Sequence, residues 1–166
     1  MSTAGMKYTY GPVQSKVFNW GFSVDTGTPD IIPNAVASVE GLRRSWYIPA
    51  APFGQGAIIY QVSFLAEGKN ASPTSTVTVQ TNTSGSFVAL LDAAFDTATV
   101  TDGTRAFGTL VSTDSGEIPG TYVAPGSEVK TLLVAGSLTT TNYYDHWSLQ
   151  IDYSMVSTRI MGADPT

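Results

Sequence analysis

Cysteine is absent from this 166-residue chain, which removes disulfides, thiolate metal sites and cysteine nucleophiles from consideration. Charge is scarce too: Asp, Glu, Lys and Arg supply 13% of the residues, about half the usual share of a soluble domain. Basic charge is the scarcer kind, 8 Lys and Arg against 13 Asp and Glu. The resulting net charge of -5, with its cations scattered, argues against a surface for nucleic acid. No apolar run approaches the ~20 residues of a membrane-spanning helix, so no membrane partner is expected. The opening residues, Met1-Ser-Thr-Ala-Gly-Met-Lys7, have neither the charged nor the apolar region of a secretion signal. Ser and Thr take the polar positions instead, as suits two-faced strands, where Thr fits well.

The most informative stretch is Trp147–Met155. Trp147, Leu149, Ile151, Tyr153 and Met155 alternate with Ser148, Gln150, Asp152 and Ser154. That period of two describes a strand with one buried face and one wet face. A one-residue slip would turn every apolar side chain into water, so the register is expected to be firm.

Taken in order, residues 1–14 read as an arm with little regular structure, punctuated by Gly5, Gly11 and Pro12. Its Met6, Tyr8 and Tyr10 either pack back on the domain or reach a neighbouring subunit. Residues 15–158 form a single domain, and 159–166 read as a frayed tail. The first strand, Ser15–Val24, presents Phe18, Trp20, Phe22 and Val24 on one face. Residues 31–40 allow one or two helical turns from Pro33 to Gly41. Ser45–Ile48 is a short strand stopped by Pro49. Ala57–Ala66 is a strand with Ile58, Tyr60, Val62 and Phe64 on one side and Ile59 and Leu65 on the other. Ser72–Thr81 follows as its expected antiparallel partner.

Phe87, Leu90, Leu91, Ala94 and Phe95 have the spacing of an amphipathic helix, which is slightly favoured over a strand from Phe87 to Leu91. Thr97–Thr101 and Arg105–Thr113 read as strands joined by the turn at Asp102-Gly103. Ala124-Pro-Gly-Ser127 has Pro and Gly where a type II turn needs them. Glu128–Thr140 is a long strand in which Gly136 suggests a bend. The expectation is therefore an all-β fold, an antiparallel two-sheet sandwich with at most one or two short helices. A jelly roll is the first choice because long strands sit at both ends of the chain, and an immunoglobulin-like sandwich is the second.

The search for chemistry returns little. His146 stands beside Asp145, but neighbours on a strand point to opposite faces, and no Gly-x-Ser-x-Gly turn is present. Asp92, Asp96 and Asp102 miss the spacing of a calcium loop. Gly68-Lys69 and Gly54-Gln-Gly56 fail the phosphate-loop and dinucleotide patterns. No catalytic residue, metal or cofactor is expected. Trp46-Tyr47, Tyr143-Tyr144 and Trp147 are candidates for stacking a sugar, against the plainer reading that they pack in a core or an interface. Arg43-Arg44 is one local basic spot, which a solvated turn also explains.

A cysteine-free, Ser/Thr/Gly-rich sandwich with an aromatic arm resembles bacteriophage virion proteins, in particular jelly-roll capsid decoration (cement) proteins. Pro119-Gly120 and Tyr122-Val-Ala-Pro-Gly-Ser127, with the two strands that follow, resemble the C-terminal hairpins of such proteins. The resemblance covers most of the chain and carries no diagnostic motif. It implies a non-enzymatic protein on the capsid exterior, a homo-oligomer (dimer or trimer) bound to the major capsid protein or another virion protein. Met6, Lys7, Tyr8, Tyr10, Arg43 and Arg44 are the candidate partner contacts. The alternatives are a tail-fibre or receptor-binding head domain and a carbohydrate-binding module.

Overall fold

The computed structural model describes residues 6–21, 24–25, 28–29, 44–49, 56–68, 75–82, 85–111, 120–135 and 146–160. The long alternating stretch is the strand β13 (His146–Ile160), and it is the spine of a six-stranded sheet. On one side it pairs with β1 (Met6–Tyr10) and β2 (Gln14–Gly21), on the other with β6 (Ala57–Glu67). β6 in turn pairs with β10 (Ala106–Gly108) and β11 (Thr121–Val123). All these pairings are antiparallel. The second sheet runs β5 (Arg44–Tyr47), β12 (Glu128–Ala135), β7 (Ser75–Asn82), then β8 (Phe87–Ala89) and β9 (Phe95–Asp96), both against β7. A two-stranded ribbon, β3 (Val24–Asp25) with β4 (Thr28–Pro29), completes the described strands. The fold is an all-β sandwich of two antiparallel sheets, with no helix among the described residues.

The core lies where the expected apolar faces meet. Trp147, Leu149 and Ile151 are fully buried, and Tyr153 and Met155 pack beside them. Phe18 joins from β2, while Trp20's side chain and Phe22 lie outside the described residues. Rings bind the sheets together: Phe64 of β6 stacks on Phe95 of β9 at 5.4 Å and meets Trp147 edge-on at 5.9 Å. Fully burying side chains of this size contributes roughly 1.5–3 kcal/mol each.

Several expectations are corrected. Residues 57–66 and 72–81 are not a hairpin; β6 and β7 belong to opposite sheets, because successive strands cross the sandwich instead of pairing. For the same reason β12 and β13, the last two strands, do not pair with each other. The helix expected over 87–95 is two short strands and a bridge at Leu91. There the Leu90 amide donates to the Val79 carbonyl, and Leu90, Leu91 and Phe95 all reach the core from an irregular path. Helical spacing thus arises without a helix. Thr97–Thr101 is a turn, held by Asp96, whose carboxylate accepts the Ala98 amide and whose carbonyl accepts those of Thr99 and Val100.

The turns at Asp102-Gly103 and Ala124–Ser127 form as expected, with Gly103 at φ 66° and Gly126 at φ 75°. The possible helical turns within 31–40 and the bend at Gly136 lie outside the described residues.

Strict alternation also fails on β6. Asp152 faces Gln61 but Tyr153 faces Ile59, so Tyr60 is an extra residue. This bulge reverses the facing of the strand, so Ala57 and Ile59 join Val62, Phe64 and Ala66 in the main core cluster, while Ile58 is buried outside that cluster. At the same level on the other flank, Tyr10 faces Val156 while Gln14 faces Tyr153. Residues 11–13 there stand opposite 154–155, again one residue in excess. Both neighbours of β13 therefore bulge at one level while β13 stays regular.

Candidate functional site

The central strands carry internally bonded polar groups on the outer faces of the sandwich. On the first sheet Ser15 Oγ donates to the Asp152 carboxylate at 2.6 Å, and Gln150 Nε2 donates to the same oxygen at 2.8 Å. Arg105 Nη1 donates to Ser63 Oγ at 3.1 Å. On the second sheet Ser45 Oγ donates to Glu128, and Lys130 Nζ lies 3.4 Å from the centre of the Phe87 ring.

Among the described residues, large exposed apolar side chains keep away from the central strands of both sheets. Tyr10, Val13, Val17 and Tyr47 belong to β1, β2, β5 or the link between them. Val88, Phe107, Val111 and Tyr122 belong to β8, β10, β11 or the chain next to them. These are the terminal strands of the two sheets, and they form two opposite lateral edges. At one edge β8/β9 meets β10: Leu91 bridges Leu110, the Asp92 amide donates to the Thr109 carbonyl, and the Val111 amide donates to that of Leu90. We call this the stitched edge. The sheets are four strands wide, so β1/β2 and β5 must share the opposite side, the amino-terminal edge. Trp46 of β5 confirms it by packing on Tyr153 of β13 at 4.4 Å between ring centres.

The candidate contact residues fall on that amino-terminal edge. Met6, Lys7, Tyr8 and Tyr10 are not on an irregular arm; they form β1, register-paired with Ile160, Arg159, Thr158 and Val156. The 159–160 part of the expected frayed tail is accordingly strand. Tyr10 is 41% exposed. Arg44 occupies β5 opposite Thr131, and Arg43 lies outside the described residues. The structure thus brings the strands of Tyr10 and Arg44 to one edge from the two ends of a 34-residue separation. Val13, Val17 and the whole stitched edge escaped the sequence reading. Phe107 and Val111 alternate against Ala106, Gly108 and Leu110, yet periodicity alone does not say which set faces water.

The remaining candidates resolve into local structure. Trp46 is half-buried on Tyr153 and Tyr47 is exposed, so the pair makes no flat sugar platform; Tyr143 and Tyr144 lie outside the described residues. A shallow pocket of about 280 Å³ is lined by Phe95, Asp96, Thr99, Thr104 and Arg105, among others. Its polar groups are engaged locally: Asp96 with the Ala98 amide, Thr99 with the Asp96 carbonyl, Arg105 with Ser63. Among the described residues no group of three or more His, Asp or Glu is placed to hold a metal ion. Comparison with family models, curated proteins and solved structures found no match to the chain.

Proposed function

We propose that this chain is a non-enzymatic virion structural protein, a decoration protein that clamps the capsid exterior by binding the major capsid protein. The observation that supports the reading is the distribution of apolar surface: among the described residues the large exposed apolar side chains lie on or next to the terminal strands of the two sheets, beside central strands whose outward polar groups are internally bonded. Scattered single apolar residues need no explanation, but sorting onto two edges fits a protein whose work is contact. We further propose a jelly roll. The order β2-β13-β6-β10 facing β5-β12-β7-β8, with the first strand beside the last, supports it. That architecture is common in capsid proteins, although fold by itself does not assign function.

Attachment uses the ribbon of β1 with the end of β13. Past Val156, whose amide donates to the Gly56 carbonyl at 3.0 Å, β13 runs on beside β1. A two-stranded ribbon is marginal alone, so a partner surface is its natural support.

Two measurements test the proposal. Mass spectrometry of purified particles should find hundreds of copies per particle; a few dozen or fewer would move the chain to the tail, and none would overturn the reading. Deletion of residues 2–10 should leave the sandwich folded and weaken particle binding at least about tenfold, or about 1.4 kcal/mol. Binding equal to that of the full chain would remove the ribbon from the contact.

A further inference from the structure

We infer that the outer face of the first sheet binds a neutral pyranose sugar, at a site built from Phe107, Arg105, Gln150 and Asp152. This goes beyond the proposed function, whose attachment runs through the ribbon of β1 and β13. Strand pairing fixes the site's layout. Phe107 of β10 stands opposite Ser63 of β6, and Ser63 stands opposite Gln150 of β13. Residues in register across antiparallel strands share a face. The next row, Ala106, Phe64 and Leu149, belongs to the core or packs against it. The row of Phe107, Ser63 and Gln150 therefore points outward, and Arg105 and Asp152 join it by alternation.

The charged groups converge on the middle of this row. Arg105 reaches across from β10, and its Nη1 donates to Ser63 Oγ at 3.1 Å. On β13 Gln150 Nε2 donates to Asp152 Oδ1 at 2.8 Å and to Ser15 Oγ at 3.3 Å. Ser15 donates to the same Asp152 oxygen. Among the described residues Arg105, Gln150 and Asp152 have no further polar partner. Arg105 thus uses one of its five N–H donors, while Gln150 Oε1 and Asp152 Oδ2 remain open as acceptors. Donors stand on one side and acceptors on the other, about one strand spacing of ~5 Å apart.

That pattern selects the ligand. A sugar hydroxyl both donates and accepts, so neighbouring hydroxyls on one ring satisfy Arg105 and the two oxygens together. The apolar C–H face of the same ring suits Phe107, whose side chain is 62% exposed. Charged ligands fare worse. An anion drawn to Arg105 meets the Asp152 carboxylate, and a cation drawn to Asp152 meets Arg105. A neutral polyol meets neither penalty.

The experiment titrates the full chain, isotope-labelled for NMR, with millimolar sugars. The neutral probes are methyl α-glucopyranoside, methyl β-galactopyranoside, methyl α-mannopyranoside and N-acetylglucosamine; N-acetylneuraminic acid is the anionic probe. At least one neutral sugar should give saturable shifts at the Arg105 and Phe107 amides and the Gln150 side-chain amide. Phe107→Ala and Arg105→Gln should each weaken that binding at least about tenfold. Tyr47→Ala removes an aromatic exposed to the same degree on the other sheet, and it should leave the affinity unchanged. The exposure of Phe107 keeps its variant folded, so the comparison stands even if Arg105→Gln unfolds. No saturable shift with any neutral sugar overturns the inference. Shifts confined to other residues, or binding that survives Phe107→Ala, overturn it as well. Saturation by N-acetylneuraminic acid alone would make this an anion site and overturn the choice of ligand.

Discussion

The two lateral edges both carry exposed apolar side chains and are held in different ways. The stitched edge is joined by backbone: the Leu91–Leu110 bridge and the bonds from Asp92 and Val111 tie one sheet to the other. Among the described residues the amino-terminal edge is joined by side chains, with Trp46 of β5 packed against Tyr153 of β13. Backbone joints tolerate little, since they demand one geometry of two chains at once. Side-chain joints leave strands free to vary in sequence at their outer positions. The comparison teaches that the stitched edge does double service, holding the sandwich shut and offering a surface, whereas the amino-terminal edge is mostly surface.

Glycine substitution should break the symmetry most. Gly120 leads into β11 at φ 138°, and a Cβ there would stand 2.5 Å from the Ile59 carbonyl oxygen. Gly120→Ala is expected to cost roughly 3–5 kcal/mol, combining backbone strain with a clash that backbone cannot relieve. Gly11 on the other edge has only the Met155 oxygen at 3.5 Å, an ordinary contact. Gly11→Ala should shift stability by less than about 1 kcal/mol. Urea unfolding midpoints of the two variants check the contrast, and equal losses would dissolve it.

Next in size, Leu91→Ala removes a buried side chain at the stitch. A loss of about 3 kcal/mol is expected from transfer and cavity together. Hydrogen exchange should also quicken at the Asp92 and Val111 amides ahead of those in β13.

A smaller effect is expected on the outer face of the second sheet. Lys130 over Phe87 should give a coupling of about 0.5–1 kcal/mol in a double-mutant cycle using Lys130→Gln and Phe87→Leu. Coupling near zero would mean that β8 is held by its backbone pairing alone.

The smallest change should come from the exposed apolar residues themselves. Val17→Ser and Phe107→Ser are expected to move the unfolding midpoint by less than about 0.5 kcal/mol in dilute protein. Any self-association through these side chains would stabilise the wild type over both at high concentration by mass action. Large losses in dilute solution would make these side chains part of the fold instead of its contacts.

Where the sequence was legible, local alternation and burial agreed. The stripe from Trp147 to Met155 and the turns at Gly103 and Gly126 needed no partner to be read, because period and turn chemistry are local properties. Where it misled, a neighbour had intervened. Ile58 and Ile59 are chemically equivalent and both fully buried, and only the bulge at Tyr60 decides which packs in the main core cluster. Leu90, Leu91 and Phe95 satisfy a helical spacing, yet their backbone finds partners at Val79 and 109–111. Met6–Tyr10 looks like an arm until the end of β13 is there to pair with it.

By itself the sequence determined that this chain is built of strands with one apolar face, cysteine-free and low in charge, since composition and period are written residue by residue. Only the tertiary structure decided which strands share a sheet, and so which side chains lie on its edges. Pairing is a long-range choice: β2 finds β13 across the whole length of the chain, and β6 passes over its neighbour β7. The exposed apolar surface inherits that choice, because an edge exists only once the order of strands is set.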